Sequence, residues 1–198
     1  MPPRRLCRDE LPADTVALAR YLIGKVLVHD LKQVRVSGRI VETEAYIIGD
    51  PSGHAFRGKT RSNRSLFLEH GRAYVYFTYG QFNMMNVTSE SPGVGAGVLV
   101  RALEPIEGLA VMARRRGTSR LLDLARGPGR LTSALGIDRR RDGLDLCARG
   151  PLWLGDFGRP AGAVGRSVRI GLTREQDRPL RFFEKGNPFV SGPKRLRT

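Results

Sequence analysis

The chain has 198 residues, 40% of them apolar, which suits one packed domain. Its 34 Lys and Arg against 19 Asp and Glu leave a net charge of +15. A polyanionic partner is therefore expected, nucleic acid ahead of an acidic membrane surface. Apolar runs such as Val98-Leu99-Val100 are far too short to span a bilayer, and the start, Met1-Pro2-Pro3-Arg4-Arg5, does not read as a secretory leader. Cys7 and Cys147 stand far apart without metal-binding spacing, so reduced thiols in a cytoplasmic protein are expected, with no metal and no cofactor.

In chain order, Ala13 to Gly24 has helical periodicity, with Asp14 as N-cap and Gly24 as stop. Lys25–His29 and Val34–Tyr46 alternate and read as two strands. Residues 47–65 break both periods and carry Arg57, Lys59, Arg61 and Arg64, a long polar loop of the kind that often holds function. Strand character returns at Ala73–Tyr79, Met84–Thr88 and Gly97–Ala102. Pro105–Arg116 reads as a helix stopped by Gly117, with shorter helices at Thr118–Ala125 and Leu131–Leu135 around a Gly-Pro-Gly turn. Residues 148–165 are rich in Gly and Pro, and Val168–Leu172 and Leu180–Phe183 read as late strands. No regular βαβ series appears, so the predicted class is α+β, a single domain over 1–198 with flexible basic ends at about 1–10 and 192–198.

The chemistry-bearing residues cluster in two strands. In Ile40-Val41-Glu42-Thr43-Glu44-Ala45-Tyr46, strand alternation puts Glu42, Glu44 and Tyr46 on one face. Alone, that segment reads more readily as a solvated strand face than as a general base beside an aromatic wall. The second segment, Tyr74-Val75-Tyr76-Phe77-Thr78-Tyr79-Gly80, holds three of the chain's five tyrosines. Aromatic faces beside Arg suit unstacked bases, and Tyr79 before Gly80 suits a wedge between base pairs. Arg101 and His54, taken singly, read as a strand-end cation and a polar loop residue. Gly127-Pro128-Gly129-Arg130-Leu131 resembles a phosphate-facing helix start.

Taken together, these segments resemble the alkyladenine (methylpurine, 3-methyladenine) DNA glycosylase family, in the branch that includes the mammalian enzyme. The matching stretches are Gly38 to Tyr46; His54 with Asn63-Arg64; Gly71 to Gly80; Met85-Asn86; Leu99 to Pro105; Gly127 to Leu131; and Arg178 to Phe182 with Asn187 to Ser191. They run in family order from about Leu18 to Ser191.

The resemblance implies a curved antiparallel sheet with surrounding helices and a protruding hairpin. It implies a monomeric, monofunctional hydrolase that flips damaged purines from double-stranded DNA. By the same resemblance Glu44 is the general base, and Arg101 and the backbone at His54 help hold the attacking water. Tyr46, His54 and Tyr76 line the base pocket, Asn86 crowds the 2-amino group of guanine, and Tyr79 intercalates. Arg64 and Arg130 are weaker candidates for phosphate contact. Gln81 and Phe82 depart from the mammalian enzyme, the loop between Tyr46 and His54 is one residue shorter, and no regulatory extension is expected. Two rival readings use fewer of these features: a non-catalytic nucleic-acid-binding protein leaves the carboxylate pair unexplained, and a carbohydrate-active hydrolase leaves the charge unexplained.

Overall fold

The computed structural model describes residues 2–78 and 80–196. A two-residue strand, β1 (Arg4–Arg5), leads to α1 (Thr15–Tyr21), which Asp14 caps by accepting the Ala17 N–H at 2.7 Å. The antiparallel pair β2 (Val26–Asp30) and β3 (Arg35–Tyr46) comes next. After the long loop, β4 (Ala73–Thr78) and β5 (Phe82–Thr88) form a hairpin, and β6 (Gly97–Glu107) pairs with both β5 and β3. Three helices follow, α2 (Leu109–Arg116), α3 (Leu121–Leu124) and α4 (Pro128–Leu135). The chain closes with β7 (Leu152–Asp156), β8 (Val164–Ser167) and β9 (Arg181–Glu184).

All the strand pairs are antiparallel, in the order β1-β7-β2-β3-β6-β5-β4, with β9 on β3 and β8 on β9. This is the α+β class that the irregular alternation predicts. β3 is the hub. One edge takes β6 along its length, while the other takes β2 at residues 35–39 and β9 at residues 42–44. Helix α1 packs on β3, β6 and β9, and α4 packs on β5 and β6. Between them lies the main core, including Leu18, Leu22, Ile40, Met85, Leu103, Leu131 and Phe182. Among the described residues no helix is long and apolar enough to cross a membrane.

Several sequence expectations need correction. Pro105 does not start a helix; it lies in β6 opposite Gly38, where among the described residues no strand pairs the other edge of β6, so its missing N–H costs nothing. The helix begins only at Leu109, after Gly108 in a left-handed conformation (φ +75°), where a Cβ would lie 2.6 Å from the Arg35 carbonyl. The late strand precedes Val168–Leu172, at β8, and the Gly- and Pro-rich stretch contains β7, whose Leu152, Trp153 and Leu154 are buried. Both ends make contacts where described. Arg4 and Arg5 pair with Asp156 and Gly155, and Leu6 is fully buried. At the other end the Leu196 carbonyl accepts from Arg181 Nη1 at 2.5 Å.

Candidate active site

The site is a row across the sheet. In register, Tyr74 lies opposite Asn86, Asn86 opposite Leu99, and Leu99 opposite Glu44. Tyr76, two residues from Tyr74, lies on the same face opposite Met84. Four strands thus deliver their side chains to one side of the sheet, over a cavity of about 210 Å³. Tyr46, His54, Tyr74, Tyr76, Asn86 and Arg101 are among its lining residues. Of the residues expected at a base pocket, the fold gathers Tyr46, His54, Tyr76 and Asn86 there, together with Arg101, which is expected to help hold the water.

Two bulges aim the charged groups. The register of β3 against β6 skips Val41 on one strand and Arg101 on the other, leaving Arg101 as an unpaired extra residue. Such bulges bend a strand and redirect a side chain. Arg101 consequently reaches both carboxylates, with Nε 3.0 Å from Glu42 Oε1 and Nη1 3.2 Å from Glu44 Oε1. The solvated strand face considered for this segment is excluded, because Glu42 and Glu44 are both 0% exposed.

Glu44 does not itself line the cavity, but its three partners do. Tyr46 Oη donates to Oε2 at 3.1 Å, the Ile170 N–H donates to Oε1 at 2.8 Å, and Arg101 approaches the same oxygen. Burial raises the Glu44 carboxyl above its usual range, with Glu42 adding to the effect and Arg101 and the Ile170 N–H opposing it. A raised carboxyl is a stronger proton acceptor once ionised. Burial also works against the charged form of Glu42, but Arg101 and Arg181 outweigh it and hold that carboxyl low. The two neighbouring glutamates are thereby pushed apart in proton affinity, a pattern that marks acid–base chemistry.

The aromatic wall is continuous. His54 meets Tyr76 at 4.2 Å between ring centroids, Tyr76 stacks on Tyr74 at 5.3 Å, and His54 Nδ1 and Tyr74 Oη share a hydrogen bond of 2.9 Å. Burial lowers the His54 pKa, which favours the neutral imidazole. Asn63 holds the loop that carries His54, donating from Nδ2 to the His54 carbonyl at 2.8 Å and the Gly58 carbonyl at 3.0 Å. Asn86 lines the cavity, is 6% exposed, and has its Nδ2 buried without a hydrogen-bond partner.

Arg64 and Arg130 lie elsewhere, both exposed. Arg64 borders a separate basic depression with Arg61 and Arg139, and Arg130 Nη1 donates to Asp123 at 3.0 Å. Tyr79, expected to intercalate, lies outside the described residues. Tyr74, Leu99, Arg181 and the Ile170 N–H join the site beyond the residues expected from the sequence. The alternation Tyr74-Val75-Tyr76 was a usable signal for Tyr74, and an Arg within the apolar run Leu180–Phe183 was one for Arg181. A backbone N–H leaves no sequence signal.

A family model for methylpurine-DNA glycosylase matches residues 9–188. A protein of Mesorhizobium japonicum is 61% identical over 191 residues, which cover 96% of this chain and 92% of the relative. One from Paraburkholderia phytofirmans is 55% identical, covering 99% and 92%. An archaeal relative, from Methanoculleus marisnigri, is 46% identical, covering 90% and 94%. All three carry the name "putative 3-methyladenine DNA glycosylase".

Proposed function

Since the chain belongs to the methylpurine-DNA glycosylase family, DNA repair enzymes that hydrolyse N-glycosyl bonds, we propose that it flips damaged purines out of duplex DNA and attacks them with a water activated by Glu44. The substrates are 3-methyladenine, 7-methylguanine, hypoxanthine and ethenoadenine, and the enzyme acts as a monomer on cytoplasmic DNA, in the manner of the branch that includes the mammalian enzyme. The observation that carries this reading is a fully buried Glu44 whose partners Arg101, Tyr46 and Ile170 all face an aromatic-walled cavity.

A base inside the duplex stack is out of reach, so it must be extruded, at a cost of a few kcal/mol. Stacking on Tyr46, Tyr76 and His54 returns about 1–3 kcal/mol per base. Purines alkylated at the 3 or 7 nitrogen are cationic and gain further attraction from electron-rich rings. Tyr79 fills the space that the flipped nucleotide leaves.

In the chemical step Glu44 takes a proton from water, whose oxygen bonds to the sugar C1′ while the C1′–N bond breaks. The base departs with the electron pair. The carboxylate also stabilises the positive charge that develops on the sugar. No lysine lines the cavity among the described residues, which supports hydrolysis without a Schiff base or strand cleavage. The non-catalytic reading accounts for the charge but gives no reason to bury two carboxylates beside a pocket.

The test is excision from duplexes carrying each lesion singly, read as alkali-induced strand cleavage. Wild type should release the base, and Glu44→Gln should lose on the order of 10²-fold or more while still binding the lesion duplex. A Glu44→Gln variant with the wild-type single-turnover rate would remove Glu44 from the chemical step.

A further inference from the structure

Arg101 is not the only guanidinium on Glu42. Glu42 Oε1 accepts Arg181 Nε at 2.7 Å as well as Arg101 Nε, and Oε2 accepts the Ser191 N–H at 2.6 Å. Arg181 is 0% exposed and spends its other nitrogens on Ser167 Oγ (2.7 Å), the Leu196 carbonyl (2.5 Å) and the Ser191 carbonyl (3.0 Å). Strand β9 and the chain beyond it therefore lock Glu42 in place. Neither Glu42 nor Arg181 lines the cavity.

We propose that Glu42 and Arg181 are positioning residues, a fixed anchor that holds Arg101 between two carboxylates so that Glu44 stays basic enough to take a proton from water. This rests on reading Glu44 as the base. A guanidinium facing a single carboxylate turns its fork onto it with two parallel hydrogen bonds. That pairing stabilises the carboxylate and lowers its proton affinity. With Nε committed to Glu42, Arg101 meets Glu44 through Nη1, at 3.2 Å from Oε1, rather than through an Nε-side fork. The other groups that face Glu44 are Tyr46 and Glu42 on β3 and the Ile170 N–H, while Arg181 lies opposite it in register on β9.

The anchor makes a prediction of opposite signs. Without the Glu42 charge, Arg101 is free to turn fully onto Glu44, and the acidic limb of the rate profile moves to lower pH with a reduced plateau. Without the Arg181 charge, Glu42 draws Arg101 toward itself, and the limb moves to higher pH.

The experiment is single-turnover excision of 7-methylguanine across pH by wild type, Glu42→Gln, Arg181→Gln and Glu44→Gln. This lesion is already cationic, so the acidic limb reports the enzyme's base rather than protonation of the leaving group. Expected shifts are about one pH unit, down for Glu42→Gln and up for Arg181→Gln. Unmoved limbs, or shifts of the same sign, overturn the anchor, since a merely structural role lowers the plateau alone. Should either variant fail to fold, Glu42→Asp and Arg181→Lys carry the same test, with smaller shifts in the same directions in support and none against. A Glu44→Gln variant that keeps its rate removes the underlying reading. An inactive Glu44→Gln with unmoved limbs in the other two removes only the anchor.

Discussion

Arg169 lies over the face of Tyr46, its guanidinium carbon 4.7 Å from the ring centroid. The same side chain pairs with Asp50, both side chains fully buried, and donates to the Ala45 carbonyl at 3.0 Å. Asp50 in turn accepts the Ser52 N–H at 2.9 Å. The turn after β3 is thereby tied to the segment after β8, and a pocket ring is backed by a cation. Removing one partner of a buried pair strands the other charge, so Arg169→Leu should cost about 3–5 kcal/mol in chemical denaturation. Adding Asp50→Asn should recover at least half of that loss. A single variant that costs under about 1 kcal/mol would mean that water reaches the pair.

Phe82 and Gly129 make a second prediction, about the hairpin. Phe82 is on the pocket face of β5, and a Cβ on Gly129 would lie 2.9 Å from its ring and 3.0 Å from its Cβ. Thr132 Oγ1 also donates to the Asn83 carbonyl at 2.6 Å, so the hairpin is fastened to α4 at two points. Gly129→Ala should push the hairpin off the helix and weaken lesion excision about tenfold or more. Gly129→Ala with Phe82→Ala should recover part of that loss. If the single variant excises at the wild-type rate, the close contact does not set the hairpin's position.

How much of this was readable beforehand depends on where each signal resides. The Asp14 cap, β3, the tyrosine strand and the α+β class all follow from local periodicity, and local periodicity predicts them. Strand β1 has only two residues and exists through its partner β7, so no local pattern marks it. The reading of Pro105 as a helix start fails because the open edge of β6 is a tertiary fact. Within the site, alternation pairs Glu42 with Glu44, but burial and the Arg181 anchor come from β9, almost 140 residues away. The Ile170 N–H belongs to the backbone and could not be read at all.

Glu184 gives a prediction for acid. It accepts both terminal nitrogens of Arg39, the Gly162 N–H at 2.8 Å and Asn187 Nδ2 at 2.9 Å, so it ties β9 to β3. The hydrogen bonds from Arg39, ahead of the other contacts, hold its carboxyl at about 2, against an ordinary value of 4.5. A depressed folded-state pKa stabilises the fold above the unfolded value, and that contribution is lost as pH falls from about 4.5 through about 2. Wild type should therefore exceed Glu184→Gln in urea midpoint at neutral pH, with the gap closing across that window. A gap that persists at about pH 2 would mean that Glu184 acts through its shape rather than its charge.

Asn86 gives the last prediction, because its side chain combines burial with an unmet donor. Asn86 lines the cavity and its Nδ2 is buried without a hydrogen-bond partner, while Tyr74 and Leu99 flank it in register and fix its place on the sheet. An unpaired buried donor costs about 1–3 kcal/mol, so a ligand acceptor at that point is favoured. Hypoxanthine and adenine carry only hydrogen at the 2-position and leave the neighbouring ring nitrogen free to accept. Guanine carries an amino group there, which would set donor against donor and add bulk in a confined space. Asn86 thus suits a filter that spares normal guanine. Asn86→Ser shortens the side chain and relieves both conflicts, so excision of guanine opposite a mismatch, relative to hypoxanthine, should rise about tenfold, equivalent to roughly 1.4 kcal/mol. The measurement is single-turnover excision of the two bases in the same sequence context, with thermal melting to establish that the variant is folded. An unchanged ratio in a folded variant would place the discrimination in leaving-group chemistry and leave Asn86 as a wall residue only.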